Sequence, residues 1–146
     1  PDLLSDERYD AVEVCEAFAQ GYRLNLRFAE AATLLDEWQA TFPDDPRPHV
    51  IRGTMHQMFT RWTEATREFR TAIDKGSLAP DLHLRIAECL MDTNEPKEAE
   101  REFAVYLFEQ PASIAGRVGR ARSLERLGRS QDAQAEYEEC LARDPK

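Results

Sequence analysis

The chain has 146 residues, the size of one compact domain, and its 42% hydrophobic and 32% charged residues describe an ordered, water-soluble protein. A net charge of −9 argues against a nucleic-acid partner, because neutralising phosphates needs clustered Lys and Arg. No apolar run approaches the roughly 20 residues of a membrane span, so no membrane insertion is expected, and no secretory signal peptide is visible.

Residues 1–11 read as an acidic leader that extends the first helix toward the amino terminus, with Ser5 able to cap it. The first residue is Pro1 rather than Met, which suggests a processed terminus or a boundary inside a longer protein. After the leader one pattern governs the chain. A small residue is followed four places later by a large apolar one in EAATLL, EATREF, EAEREF and DAQAEY, and the alanines, Ala31, Ala65, Ala99 and Ala133, are 34 residues apart each time. A fixed period of this length signals stacked supersecondary units, here 12–45, 46–79, 80–113 and 114–146.

Each unit splits into two helical stretches. The first unit places Ala19 in its first helix and Ala31, Leu35 and Trp38 in its second; a tryptophan where the next unit has Ala72 predicts a wider crossing or contact with the leader. The second unit has Arg52 and His56 where the third has Ile86 and Leu90, so its first helix is expected to be rotated or shifted by one residue. The third runs through LHLRIAECLM to Asn94, read as a cap for the next helix, then Pro96 in the first turn, Ala99, Phe103, Tyr106 and Leu107. The fourth reads IAGRVGRARSLERL, a stop at Gly128, a cap at Ser130, and Ala133, Tyr137, Cys140 and Leu141 along one face before Asp144-Pro145. An alanine at each helix crossing lets two backbones approach, and the bulky residue one turn later fills the space beside it.

These features resemble the tetratricopeptide repeat family: the period, small residues at Gly53, Ala87 and Ala121 in the first helices, the four Ala-x-x-x-Leu/Phe/Tyr pairs and the closing prolines. The resemblance covers all but the leader. It implies an all-α fold, a right-handed superhelix of about four helix pairs forming a single repeat domain over 12–146, with a concave groove that binds a peptide or a protein segment. Groove positions carried over in this way are Glu16, Gln20 and Leu24; Val50, Thr54 and Met58; Leu84, Arg85 and Glu88; and Val118 and Arg122. Val50, Leu84 and Val118 hold equivalent places and would form an apolar seam. A subtype that grips a chaperone tail through its terminal carboxylate is not expected, since of Glu16, Gln20, Ile51, Asp81 and Arg85 only Arg85 suits that ligand.

Cys15, Cys89 and Cys140 are odd in number, far apart and without a CxxC, so they are expected as buried small hydrophobes in a reducing, cytoplasmic setting. His49, His56 and His83 lack a supporting ligand cluster, no phosphate-cradling glycine loop is present, and no nucleophile–base pairing appears; no metal, cofactor or catalytic residue is expected. The carboxylates of KEAERE and EYEE read as solvated faces. The blocks carry net charges of −5, +3, −5 and +1, and the series Arg117, Arg120, Arg122, Arg126 and Arg129 is expected to pair with the acidic second helix of the third unit. The expected role is a protein-interaction module within a larger protein. Its rivals are an accessory domain packing on its own longer chain, as in an enzyme or electron carrier, and a homodimer formed through a carboxyl-terminal end that no polar helix covers.

Overall fold

The computed structural model describes residues 11–25 and 27–143. The leader over 1–10, the Asp144-Pro145 stop and Lys146 lie outside the described residues. Eight helices and no strand are found among the described residues: α1 Ala11–Leu24, α2 Phe28–Thr41, α3 Arg47–Met58, α4 Trp62–Asp74, α5 Leu82–Asp92, α6 Pro96–Glu109, α7 Ile114–Arg126 and α8 Ser130–Arg143. The chain divides between Leu78 and Ala79 into two compact units, one holding α1–α4 and the other α5–α8.

The helix ends explain why the chain turns back at the same place in successive repeats. Thr60, Asn94 and Gly128, each 34 residues from the next, have φ of 56°, 60° and 75°. In each case the following amide reaches back to the helix just ended: Arg61 to the His56 carbonyl at 2.9 Å, Glu95 to Leu90 at 2.8 Å, Arg129 to Leu124 at 2.9 Å. This left-handed closure satisfies carbonyls that the helix end would otherwise leave without donors. Asn94 therefore closes α5 rather than capping α6, which corrects the sequence expectation. Asparagine is favoured both as a helix cap and in the left-handed region, so its identity alone does not choose between them.

The next helix always starts the same way. The amides of Ala31, Ala65, Ala99 and Ala133 each donate at 3.0 Å to the carbonyls of Arg27, Arg61, Glu95 and Arg129. The residue before α8 is thus Arg129, and Ser130 is the first residue inside the helix instead of its cap. Pro96 stands in the first turn of α6, where its missing N–H costs nothing. A side-chain cap does open α7, where Ser113 Oγ accepts from the Gly116 amide at 3.0 Å.

The repeated alanines are all buried, with relative exposures between 0 and 1%. Leu35, Phe69 and Phe103 beside them are buried too, and Tyr137 is half-buried. At the α3–α4 crossing Gly53 lies directly against the Phe69 ring: a Cβ there would come within 2.5 Å of Phe69 Cε1. In the second unit Gly119 of α7 meets the Phe103 ring of α6 in the same intimate way. Trp38 is accommodated in a cluster with Cys15, Ala19, Ala31, Leu35, Ile51 and Met55, fully buried.

The unusual residues of the second repeat find a simple explanation. Ile51 and Met55 turn into the core, while Arg52 reaches α2, bonding Gln39 Oε1 and Asp36 Oδ1 at 2.8 Å each. Gly53, Ala87 and Ala121 all stand at the same buried place, so the register has not slipped. All three cysteines are buried, and burial raises the thiol pKa of Cys15 and Cys140. Both thiols stay protonated and act as packing groups.

Candidate binding faces of the first helices

The first helix of each pair turns a packing stripe inward and leaves a second stripe accessible. On α1, Glu16 and Gln20 are half-buried and Leu24 is 69% exposed. On α3, Val50 and Thr54 are half-buried and Met58 is 46% exposed. Within this first unit α1 and α3 approach each other, and Arg47 lies 3.6 Å from Glu16. Thr54 is anchored, its hydroxyl donating to the Val50 carbonyl at 2.9 Å.

In the second unit the corresponding stripe is charged. Leu84 and Arg85 are half-buried on α5 and Glu88 is exposed; on α7, Val118 is half-buried and Arg122 exposed. Burial of its carboxyl, with Asp81 and Asp92 nearby, raises the Glu88 pKa against the pull of Arg85. Each of the eleven candidate positions is at least partly accessible, whereas Ile51, Ile86 and Leu124 on the same helices are sealed in the core.

Two clusters brace these faces. Asp45, in the turn between α2 and α3, accepts from Trp38 Nε1 at 3.1 Å and from Arg47 Nη2 at 2.8 Å, Nε at 2.9 Å and its amide at 3.0 Å. Burial alone would raise the Asp45 pKa, but these hydrogen bonds outweigh it and hold the carboxyl below its usual range. The Arg47 guanidinium also sits over the Trp38 ring, 5.7 Å from its centroid.

The second brace repeats. His49 Nδ1 lies 2.7 Å from Glu68 Oε2, His83 Nδ1 2.6 Å from Glu102 Oε2, and Arg117 Nη1 3.1 Å from Glu136 Oε2. The spacing is 19 residues each time, and successive pairs are 34 apart, so each ties a first helix to its own second helix. At His49 the other ring nitrogen is 3.0 Å from Lys75 Nζ, which can only donate. Nδ1 therefore carries the hydrogen and donates to Glu68. His49 and His83 keep the 34-residue period, and so do Glu68, Glu102 and Glu136.

The arginine series behaves differently from the expectation. Arg120 does reach the third repeat's acidic helix, at 2.9 Å from Glu100, but it binds Glu136 of its own repeat at the same distance. Arg117 also donates to the Pro111 carbonyl, Arg126 to the Met91 carbonyl, and Arg129 to Asp132. Glu100 and Glu136, read from sequence as solvated, have side chains only 16% and 14% exposed because these guanidinium groups cover them. Among the described residues no three His, Cys, Asp or Glu side chains converge as a metal site, and no described helix is long and apolar enough to cross a membrane.

Known proteins place this architecture. No curated sequence matches the chain. Among solved structures, MamA of AMB-1 superposes with a TM-score of 0.82 at 17% identity, over 98% of this chain and 78% of that one. MamA of MSR-1 gives 0.77 at 18% identity, over 97% and 80%. YrrB, described as a repeat protein with an unusual peptide-binding site, gives 0.81 at 17% identity, over 88% and 66%. At such identities these likenesses concern the fold. Residues 59–114 match the family model of the tetratricopeptide repeat, and helix pairs of the same kind recur on either side of them.

Proposed function

We propose that this chain is a non-enzymatic interaction module whose accessible first-helix stripes hold a peptide or protein segment. The observation that carries this reading is the apolar content of those stripes: Leu24 and Met58 stand well exposed, and Leu84 and Val118 half-exposed, at places set by the repeat. Scattered apolar surface residues need no explanation, but Leu24 and Met58 share one register position in the first unit and Leu84 and Val118 share another in the second, so each unit carries a pair of anchor sites. In the second unit Glu88 and Arg122 flank the pair with opposite charges, which suits a segment of mixed charge with apolar anchors. The peptide-binding site named for the structurally similar YrrB supports the same class of ligand.

Burying one such anchor contributes roughly 1.5–3 kcal/mol, so a segment using three of them would bind near micromolar strength after ordering costs. A pull-down from native lysate with wild type and Leu84→Glu tests the assignment. Partners captured by wild type should be lost or weakened roughly tenfold to a hundredfold in the variant. Equal recovery by both proteins, or by neither, refutes it.

A further inference from the structure

We infer that the outward side of α6 pairs with the same side of α6 in a second copy of this chain, the two helices running antiparallel about a two-fold axis at Val105. Helix α6 buries Ala99, Phe103 and Leu107 in the core. Its opposite side carries Arg101, Val105 and Phe108, spaced by four and three residues and so on one stripe, with Glu109 beside them. Phe108 is 91% exposed and Val105 43%. The scaffold asks for neither. Where α6 has Val105 the other repeats have Glu37, Thr71 and Glu139, and where it has Phe108 they have Ala40, Asp74 and Ala142. Helix pairing is thus served by small or polar residues at both places, and the apolar pair of α6 points to a contact outside the fold.

The charges beside that pair choose the occupant. Arg101 stands one turn before Val105 and Glu109 one turn after it; both are exposed, and neither forms an ion pair among the described residues. A helix with a basic residue four places before its centre and an acidic one four places after it is its own complement when reversed. In an antiparallel pair centred on Val105, Arg101 of each copy faces Glu109 of the other, and both ion pairs form together. The Phe108 ring then lies along the Arg101 and Val105 side chains of the facing helix. A parallel pair would set like charges against each other, and a uniformly acidic or basic partner would satisfy one of the two charges and oppose the other. Because the same patch serves both copies, the contact closes at two. One helix face is a small interface, so the dimer is weak, half formed at on the order of 100 µM.

Sedimentation equilibrium of the full 146-residue chain, through a concentration series spanning that value, tests this. Wild type should pass from monomer to dimer and stop there. Phe108→Ser should weaken the dimer at least about tenfold. Arg101→Glu and Glu109→Arg each set like charges across the axis and should each stay monomeric. Mixed in equal amounts, these two variants should form a heterodimer, because one then carries only acidic residues at the two places and the other only basic ones. Arg101→Glu combined with Glu109→Arg in one chain should pair with itself again. All three residues are exposed, so every variant keeps the helical circular dichroism and melting temperature of wild type. Wild type that stays monomeric or grows past two, a dimer indifferent to Phe108→Ser, or single charge variants that fail to pair on mixing overturns the inference.

Discussion

Replacing glycine by alanine at two positions of the first unit should change stability in opposite directions. Both Gly53 and Gly21 lie inside helices, where alanine is favoured over glycine by about 0.8–1 kcal/mol. At Gly21 the added methyl meets nothing within 4 Å, so the whole gain remains. At Gly53 it would stand 2.5, 2.7 and 3.0 Å from three carbons of the Phe69 ring, against an ordinary carbon contact of about 3.5–4.0 Å. The ring must retreat by about 1 Å, but Phe69 is fully buried and has no room to do so. Overpacking of this kind costs about 1–3 kcal/mol, so Gly53→Ala should be neutral to about 2 kcal/mol destabilised. The helix-propensity terms cancel between the variants, and their difference measures the packing strain itself. Urea unfolding at constant m reads the stabilities, and each kcal/mol corresponds to about 2–4 °C in Tm for a chain of this length. Because both sites belong to the same compact unit, separate melting of the two units does not confuse the comparison. If both variants gained equally, the Phe69 ring would not lie on Gly53 and the proposed close crossing would be wrong.

Asp45→Asn removes a carboxylate held by Trp38 and Arg47 and should cost about 1–2 kcal/mol near neutral pH. Since the folded pKa of Asp45 lies below its ordinary value of 3.8, this stabilisation is present above that pH and disappears as pH falls through the folded pKa. The stabilities of wild type and variant should therefore converge in acid, and a gap that persists there would contradict the charged hydrogen bonds. Thr60→Gly should raise stability by about 1 kcal/mol in chemical denaturation, because a β-branched residue at φ 56° does what Gly128 does without strain; a loss would mean that the threonine side chain holds the turn. Glu136→Ala strips partners from both Arg117 and Arg120 and should cost about 1–3 kcal/mol, with coupling to Arg117→Ala in a double-mutant cycle. Additive effects would show that the Arg117 pair contributes nothing of its own.

Most of the helical plan was legible because packing repeats. Ala31, Ala65, Ala99 and Ala133 announced the crossings, and the same arithmetic found Gly53, Ala87 and Ala121. What escaped were choices made by polar groups with more than one good partner. Asn94 is equally at home closing one helix or opening the next, and only the backbone around it decides. Glu136 looks solvated on a helical wheel of α8, yet two guanidinium groups from α7 cover it. Arg120, expected with its series to pair with the acidic second helix of the third repeat, does meet Glu100 there but also bridges to Glu136. Such outcomes depend on distances between helices, which periodicity alone does not supply. Accessibility of the candidate binding positions was legible through register, while anchoring of Thr54 by its own helix and the raised pKa of Glu88 depend on the folded surroundings.

The repeat also separates what the scaffold needs from what it leaves open. The crossing positions hold alanine in all four repeats, and the brace positions hold His–Glu, His–Glu and Arg–Glu in three, because each must meet a fixed neighbour at a fixed distance. Along the accessible stripe the equivalents Gln20, Thr54, Glu88 and Arg122 share neither size nor charge. Of these four, Glu88 and Arg122 are exposed, and helix pairing places little demand on their side chains. A partner segment reading the second unit would meet Glu88 and then Arg122, and exchanging them, Glu88→Arg with Arg122→Glu, should leave the melting temperature within about 1–2 °C, since exposed charges contribute little to folding. Binding should fall at low salt and recover when the charges on the partner are exchanged as well. Loss of folding would place these residues in the scaffold after all, and unchanged binding would remove them from the recognition surface.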